Sequence, residues 1–256
     1  MSQWVTRGLA AGIKTTHYPR AAETAPGTSP GMPAATSLPA ARAQLVAARC
    51  PTAALRQVPS GVEVDRRRCV HCFRCLRETE SPVDWDAGYQ WAELLAGSER
   101  RGRSLGRAFS RSLHILVVDA GDCGACLSEV RQLNNPYYNM HRLGFFLTPT
   151  PRHADVLLVV GALTEHMRLP LGKAYEAMPA PKRVVAVGSC ALSGAIFSPS
   201  FICAGGVGEL LPVDVEVPGS PPPPLAILHG LLLVAGRKPP SGADGVRAGA
   251  NQDRLR

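Results

Sequence analysis

Three short apolar runs, each ending at a glycine-containing turn, constrain this chain more than anything else in it. Leu113-His-Ile-Leu-Val-Val-Asp119 runs into Ala120-Gly-Asp122, Ala154 to Val160 ends at Gly161, and Arg183 to Val187 ends at Gly188. Runs this short, rich in Val, Ile and Leu and bounded by Gly, predict strands buried on both faces of a parallel sheet. Helical patterns separate them. Cys126 to Leu133 is stopped by Asn134-Asn135-Pro136, and Met167 to Met178 is closed by Pro179. Val213 to Val217 adds a fourth short strand, and Leu225 to Val234 a last helix. This alternation predicts a doubly wound α/β domain over residues 113–237.

Cysteines stand where such a sheet puts its sites. Cys123 and Cys126, spaced Cys-x-x-Cys, follow the first strand, and Cys190 follows the third. The turns at the carboxyl ends of parallel strands gather on one edge, so these three thiols are expected to converge there. Gly124 and Gly188 leave room for the backbone to approach a ligand. Soft thiolates suit iron–sulfur clusters or zinc better than oxygen-loving metals. Cys-x-x-Cys by itself is equally a redox dithiol, a zinc half-site or chance, and a single cysteine such as Cys190 is often a small buried hydrophobe. Its place after a strand, matching Cys123, argues for a ligand.

A second set lies upstream: Cys50-Pro51, then Cys69-Val-His-Cys72-Phe-Arg-Cys75. The triple Cys-x-x-Cys-x-x-Cys spacing wraps three thiolates around one corner of a cubane. It resembles half of a bacterial two-cluster ferredoxin, in which each run of three is completed by a distant Cys-Pro from the other run. Cys50-Pro51 matches the tail of a first run whose leading cysteines are missing. Cys69, Cys72 and Cys75 match the head of the second, whose own tail is replaced by Thr79 and Glu80. Crossed ligation then leaves one site with all four ligands and the other with none. A [4Fe–4S] cluster on Cys50, Cys69, Cys72 and Cys75 is expected; zinc is the rival, with His71 facing solvent as a poor further candidate. A module this small, residues 45–84, needs such a cluster as its staple.

The rest of the chain bounds the surroundings. Residues 1–44 pass into an Ala/Pro/Thr/Ser/Gly stretch that cannot build a core and are expected to be largely disordered, as is the tail 238–256. Residues 85–112 are expected to form a linker, with an amphipathic helix over Trp85–Leu95 and then an arginine-rich run. Ser98 to Arg111 carries five Arg against one Glu, within a net charge of +8. That charge suits a solvated linker, an acidic partner or an anionic membrane face. No RNP-like or helix-turn-helix pattern points to nucleic acid. Met1 to Arg20 has no apolar signal core, so the eight cysteines are expected to be reduced, cytoplasmic thiols available as ligands. The longest apolar run, Leu225 to Ala235, is too short to span a bilayer and is interrupted by His229 and Gly230. Membrane association is expected to be peripheral.

Residues 113–236 resemble the small, cluster-bearing subunit shared by energy-converting [NiFe]-hydrogenases, formate hydrogenlyase and respiratory complex I. The stretches that carry the resemblance are Ala120-Gly-Asp-Cys-Gly-Ala-Cys126, Leu133-Asn-Asn-Pro-Tyr-Tyr138, Pro151-Arg-His-Ala-Asp-Val-Leu-Leu-Val-Val-Gly161, Tyr175-Glu-Ala-Met-Pro-Ala-Pro-Lys182, Val185-Ala-Val-Gly-Ser-Cys-Ala191 and Pro212-Val-Asp-Val-Glu-Val-Pro-Gly-Ser-Pro-Pro222. The spaced Cys123/Cys126 pair is more similar to the hydrogenase branch than to complex I, whose members begin with adjacent cysteines. Gly8-Leu9 and Thr15-Thr16-His17-Tyr18-Pro19, with the half-ferredoxin, resemble the ferredoxin-like subunit of the same complexes.

The resemblance implies a flavodoxin-like fold and an electron-transfer role through two [4Fe–4S] clusters. It further implies a large [NiFe]-hydrogenase or complex I 49 kDa-type partner, other ferredoxin and membrane-arm subunits, and a place on the inner face of the cell membrane. Such a subunit is not catalytic alone. The family's fourth ligand, the Cys of Pro-Gly-Cys-Pro-Pro, is Ser220 here. The cluster at Cys123, Cys126 and Cys190 is then completed by Ser220 or solvent, is a [3Fe–4S] cluster, or recruits Cys203. Glu129 sits at the position of a family glutamate near a proton or quinone path. The alternatives are a structural, docking paralogue with this cluster altered or lost at Ser220, and a zinc-binding regulatory protein. Quinone-type and nickel-type partners are both open.

Overall fold

Val156–Val160 and Arg183–Val187 are buried along their whole length, as strands covered on both faces must be. The structure, a computed structural model, describes residues 3–77 apart from 24 and 26, 83–95, 109 and 111–237. In chain order its elements begin with α1 (Gln3–Ala11), β1 (Met32–Pro33), α2 (Ala40–Ala48), β2 (Leu55–Val58), β3 (Gly61–Val64), β4 (Trp85–Asp86) and β5 (Glu93–Leu94). Then come β6 (Leu113–Asp119), α3 (Ala125–Gln132), β7 (Phe145–Leu147), β8 (Val156–Val160), β9 (Leu163–Thr164) and α4 (Glu165–Ala177). The chain closes with β10 (Arg183–Val187), α5 (Ser189–Ser193), β11 (Cys203–Gly205), β12 (Val215–Val217) and α6 (Pro224–Val234).

Six strands form the central sheet in the order β5-β12-β10-β8-β6-β7. All neighbours are parallel except the edge pair β5–β12. Numbered by their order in the chain, the five parallel strands run 2-1-3-4-5, the flavodoxin-like order, with the switch point between β6 and β8. Alternation along each strand divides two cores. Ile115, Leu158, Val185 and Val215 face one with α3 and α6, while Leu116, Leu157, Val184 and Ala186 face the other with residues of α4 and α5. Asp119, Val160, Val187 and Val217 are level across the sheet. The turns that follow them therefore share one edge.

Upstream, α2 packs on the β2–β3 hairpin around Ala43, Val46, Leu55, Val62 and Val83, with Cys50 and Cys75 against that small core. A core of this size stabilises little by apolar burial alone. The 3-10 turn Arg66–Arg68, capped by Asp65, which accepts the Arg67 N–H at 3.1 Å, carries the module onto the sheet. Arg67 pairs with Glu216 at 3.0 Å, and the Ser193 hydroxyl donates to the Arg67 carbonyl at 3.2 Å.

Two expectations change. Trp85–Leu95 is not a helix but the short strands β4 and β5, joined by an extended segment. Tyr89 and Trp91 are buried. The Trp91 indole donates to the Pro218 carbonyl at 2.7 Å, and the Ala92 N–H donates to His229 Nδ1 at 3.2 Å. This segment covers α6, which is apolar almost all round and needs a roof. Within residues 1–44, α1 buries no residue, but the stretch that follows it is engaged. Tyr18 and Met32 are fully buried, Tyr18 stacks edge-on against Tyr89 at 5.3 Å, and β1 pairs with β4. The stretch builds no core of its own; it supplies side chains to its neighbour's. Thr79, Glu80, most of the arginine-rich run and the tail 238–256 lie outside the described residues.

Candidate metal centres

Cys69, Cys72 and Cys75 follow the Arg66–Arg68 turn on a backbone that reverses twice. His71 and Phe73 hold φ of 50° and 57°, a left-handed conformation that is uncommon outside glycine. These reversals curl the loop around one cavity, lined by Cys50, Cys69, Cys72 and Cys75 together with apolar groups such as Val46 and Leu55. The Ala54 N–H donates to Cys50 Sγ at 3.3 Å, a bond of the kind that stabilises cluster sulfurs. Burial pushes the Cys69 and Cys75 thiols up to about 11, and the other thiols of the set add to the rise. These two thiols, held protonated by burial, ionise when a metal takes the place of their protons.

The second set lies on the shared sheet edge. Asp119 accepts the N–H groups of Gly121 and Asp122 at 2.8 and 2.6 Å, closing the turn after β6. Asp122 in turn accepts the Leu127 N–H at 3.0 Å in the first turn of α3. Cys123 is thereby exposed while Cys126 is buried. The third member, Cys190, lies in α5 after β10. Burial raises Cys126, helped by Asp122, Cys190 and Cys123. Cys190 is pushed up to about 11 by burial, then by Cys123, Asp122 and Cys203.

Ser220 belongs to the turn after β12. The Ser189 N–H donates to the Gly219 carbonyl at 2.8 Å, so the Cys190 and Ser220 turns are tied together. Cys203 is buried on β11, and its thiol donates to the Gly205 carbonyl at 3.6 Å. It neighbours Cys190 but stands on a strand paired with β9. Among the described residues, no three or more His, Cys, Asp or Glu side chains are gathered tightly enough to hold one metal ion. A cubane, taking one thiolate at each iron corner, spreads its ligands wider, and the soft all-thiol donor set of the first cavity fits it.

Two residues outside the cysteine pattern join the sets. The Ser189 hydroxyl, beside Cys190, donates to the Cys69 carbonyl at 2.6 Å. The Ser220 N–H donates to His71 Nδ1 at 3.4 Å, while His71 Nε2 lies 2.9 Å from the Met32 sulfur. His71 is therefore not turned to solvent but wedged between the two loops, and burial lowers it to about 4. Its left-handed φ points it inward, a feature that spacing does not reveal. Glu129, on α3, is half-buried and raised by burial.

A family profile described as "NADH ubiquinone oxidoreductase, 20 Kd subunit" matches residues 123–234. Formate hydrogenlyase subunit 7 of Escherichia coli is 39% identical over 133 residues, which are 52% of this chain and 52% of that protein. The chain thus spans about half the length of that relative. A Pyrococcus furiosus protein named "Probable membrane-bound hydrogenase subunit mbhJ" is 39% identical over 135 residues, covering 53% of this chain and 81% of that protein. An uncharacterized protein of Methanocaldococcus jannaschii is 44% identical over 125 residues, 49% of this chain and 84% of its own length.

Proposed function

The chain belongs to the NADH ubiquinone oxidoreductase 20 kDa subunit family, and from that premise we propose that it is an electron-transfer subunit of a membrane-associated hydrogenase or complex I-like oxidoreductase. One [4Fe–4S] cluster is held by Cys50, Cys69, Cys72 and Cys75. A second is held by Cys123, Cys126 and Cys190, with Ser220 at the fourth position. When bound, these clusters supply one-electron redox chemistry at potentials set by ligands, burial and hydrogen bonds.

The observation that carries this proposal is the junction of the two thiol sets. A 2.6 Å hydrogen bond runs from Ser189, the residue before Cys190, to the carbonyl of Cys69. Sets that served separate purposes would need no such contact; links of one wire do. The chain's own residues bring the two loops together. Arg67 anchors the upstream module through Glu216, Met32 and His71 fill the space behind the loop, and Trp91 roofs the Pro218 turn. Asp119 and Asp122 hold the Cys123–Cys126 turn. Cys123 is exposed, so the second site opens outward to a large catalytic partner. Ile196, Phe197, Phe201 and Ile202, exposed in the loop between Cys190 and Cys203, supply an apolar surface such a partner would cover. No helix among the described residues is long and apolar enough to cross a membrane, so membrane attachment would come through the complex.

The test is iron and acid-labile sulfide in the anaerobically purified full chain. About eight irons are expected. Cys72→Ala should remove about four of them and Cys126→Ala about four others. Ser220 favours a second function, a docking paralogue whose α/β domain carries no cluster. In that case the chain binds only about four irons, lost with Cys72→Ala and retained with Cys126→Ala.

A further inference from the structure

Of the α-helices among the described residues, α1 alone buries none of its side chains. Its sequence is nonetheless two-sided. Trp4, Val5, Gly8 and Leu9 fall on one side of the helix, and Gln3, Thr6, Arg7 and Ala10 on the other. Trp4 and Leu9 are each 75% exposed, and Ile13, just past the helix end, is 87% exposed. A helix of nine residues is marginal in water on its own. This one has an apolar side and, among the described residues, nothing laid against it.

The charge around it is of one sign. From Met1 to Ala22 the chain carries Arg7, Lys14 and Arg20 and neither Asp nor Glu, and all three cations are exposed. The helix is also held close to the body of the protein. Gly12, at φ of 64°, ends it, and only Ile13 and Lys14 separate that turn from a fixed strap. There the Thr15 hydroxyl donates to the Pro136 carbonyl and the Thr16 N–H to the Tyr137 carbonyl, each at 2.9 Å, and Tyr18 is fully buried.

We propose that α1 lies in the plane of an anionic lipid surface, with Trp4, Val5 and Leu9 at the boundary of headgroups and acyl chains and Arg7 and Lys14 among the phosphates. A tryptophan beside aliphatic residues suits that boundary, and cations without acidic neighbours suit anionic lipid. This goes beyond attachment through partner subunits, because the chain then makes its own contact with the lipid. No cysteine takes part, so vesicle binding and iron content test separate claims.

The probe is a vesicle of phosphatidylglycerol and phosphatidylcholine, sedimented with the full chain; vesicles of phosphatidylcholine alone are the comparison. Saturable binding to the anionic vesicles is expected, weaker on the neutral ones and weakened by salt. Trp4→Gln/Leu9→Gln keeps every charge and should lower the affinity about tenfold or more. Arg7→Gln/Lys14→Gln should lower it about tenfold or more on anionic vesicles only. All four side chains lie outside the cores, so the melting temperature should not move. No binding by the wild-type chain would overturn the proposal and leave α1 for a protein partner. Undiminished binding by Trp4→Gln/Leu9→Gln would also overturn it, since the arginine-rich run 98–111 would then hold the vesicles by charge alone. About eight irons per chain without vesicle binding would sink this proposal and spare the two-cluster function, and about four irons with binding that the variants weaken would do the reverse.

Discussion

A Gly188→Ala chain is expected to keep its sheet and lose about half of its iron. Gly188 holds φ of 90° and ψ of 150° between β10 and α5, a region essentially closed to residues with a Cβ, at a cost of about 1–3 kcal/mol. An added Cβ would also stand 2.5 Å from Cys126 Sγ and 3.5 Å from the Gly219 carbonyl. The sulfur lies on a buried thiol inside a packed core, so it has little room to retreat. The glycine thus brings the Cys126, Cys190 and Ser220 turns within one small volume, and a methyl group drives them apart. Iron analysis should fall from about eight to about four per chain, with the far-UV circular dichroism spectrum retained. Full iron content in this variant would show that the second set does not require that close approach.

Asp214→Ala is expected to destabilise the α/β domain by about 3–5 kcal/mol, the usual cost of breaking a buried ion pair on one side. Arg183 and Asp214 are 3% and 4% exposed and meet at 3.1 Å. The second carboxylate oxygen of Asp214 accepts the Val184 N–H at 2.9 Å. Arg183 Nη2 is buried with no hydrogen-bond partner, so the charge of Asp214 is its main compensation. Removing that carboxylate leaves a buried guanidinium uncompensated at the start of β10. The melting temperature should drop by roughly 6–20 °C for a chain of this size. The double variant Arg183→Met/Asp214→Asn, which removes both charges and keeps an acceptor for the Val184 N–H, should recover most of the loss. A drop of under about 1 kcal/mol in the single variant would mean water reaches this corner.

Arg183–Val187 was legible as a strand to the residue because it is buried on both faces, and burial on both faces shows as an unbroken apolar run. Trp85–Leu95 was not, since its aromatic residues answer to the roof of α6 rather than to any periodicity of their own. Tyr18 and Met32 were hidden for the same reason: a lone large side chain in an Ala/Pro/Ser stretch has no pattern, yet it fills a gap in someone else's core. The cysteines could be grouped by spacing and by their place after strands, and Cys50, Cys69, Cys72 and Cys75 line one cavity. Ser189 and His71 could not be found this way. Their hydrogen bonds reach across 120 and 149 residues, and only the folded chain brings those partners together.

The most direct test of the electron-wire account is the EPR spectrum of the full chain across a redox titration. Two reduced-cluster signals are expected, each broadened when the other is reduced, because Ser189 and Cys69 hold the two sites in contact. A single, unbroadened signal that disappears with Cys72→Ala and is unchanged in Cys126→Ala would contradict it and leave the α/β domain as a docking scaffold.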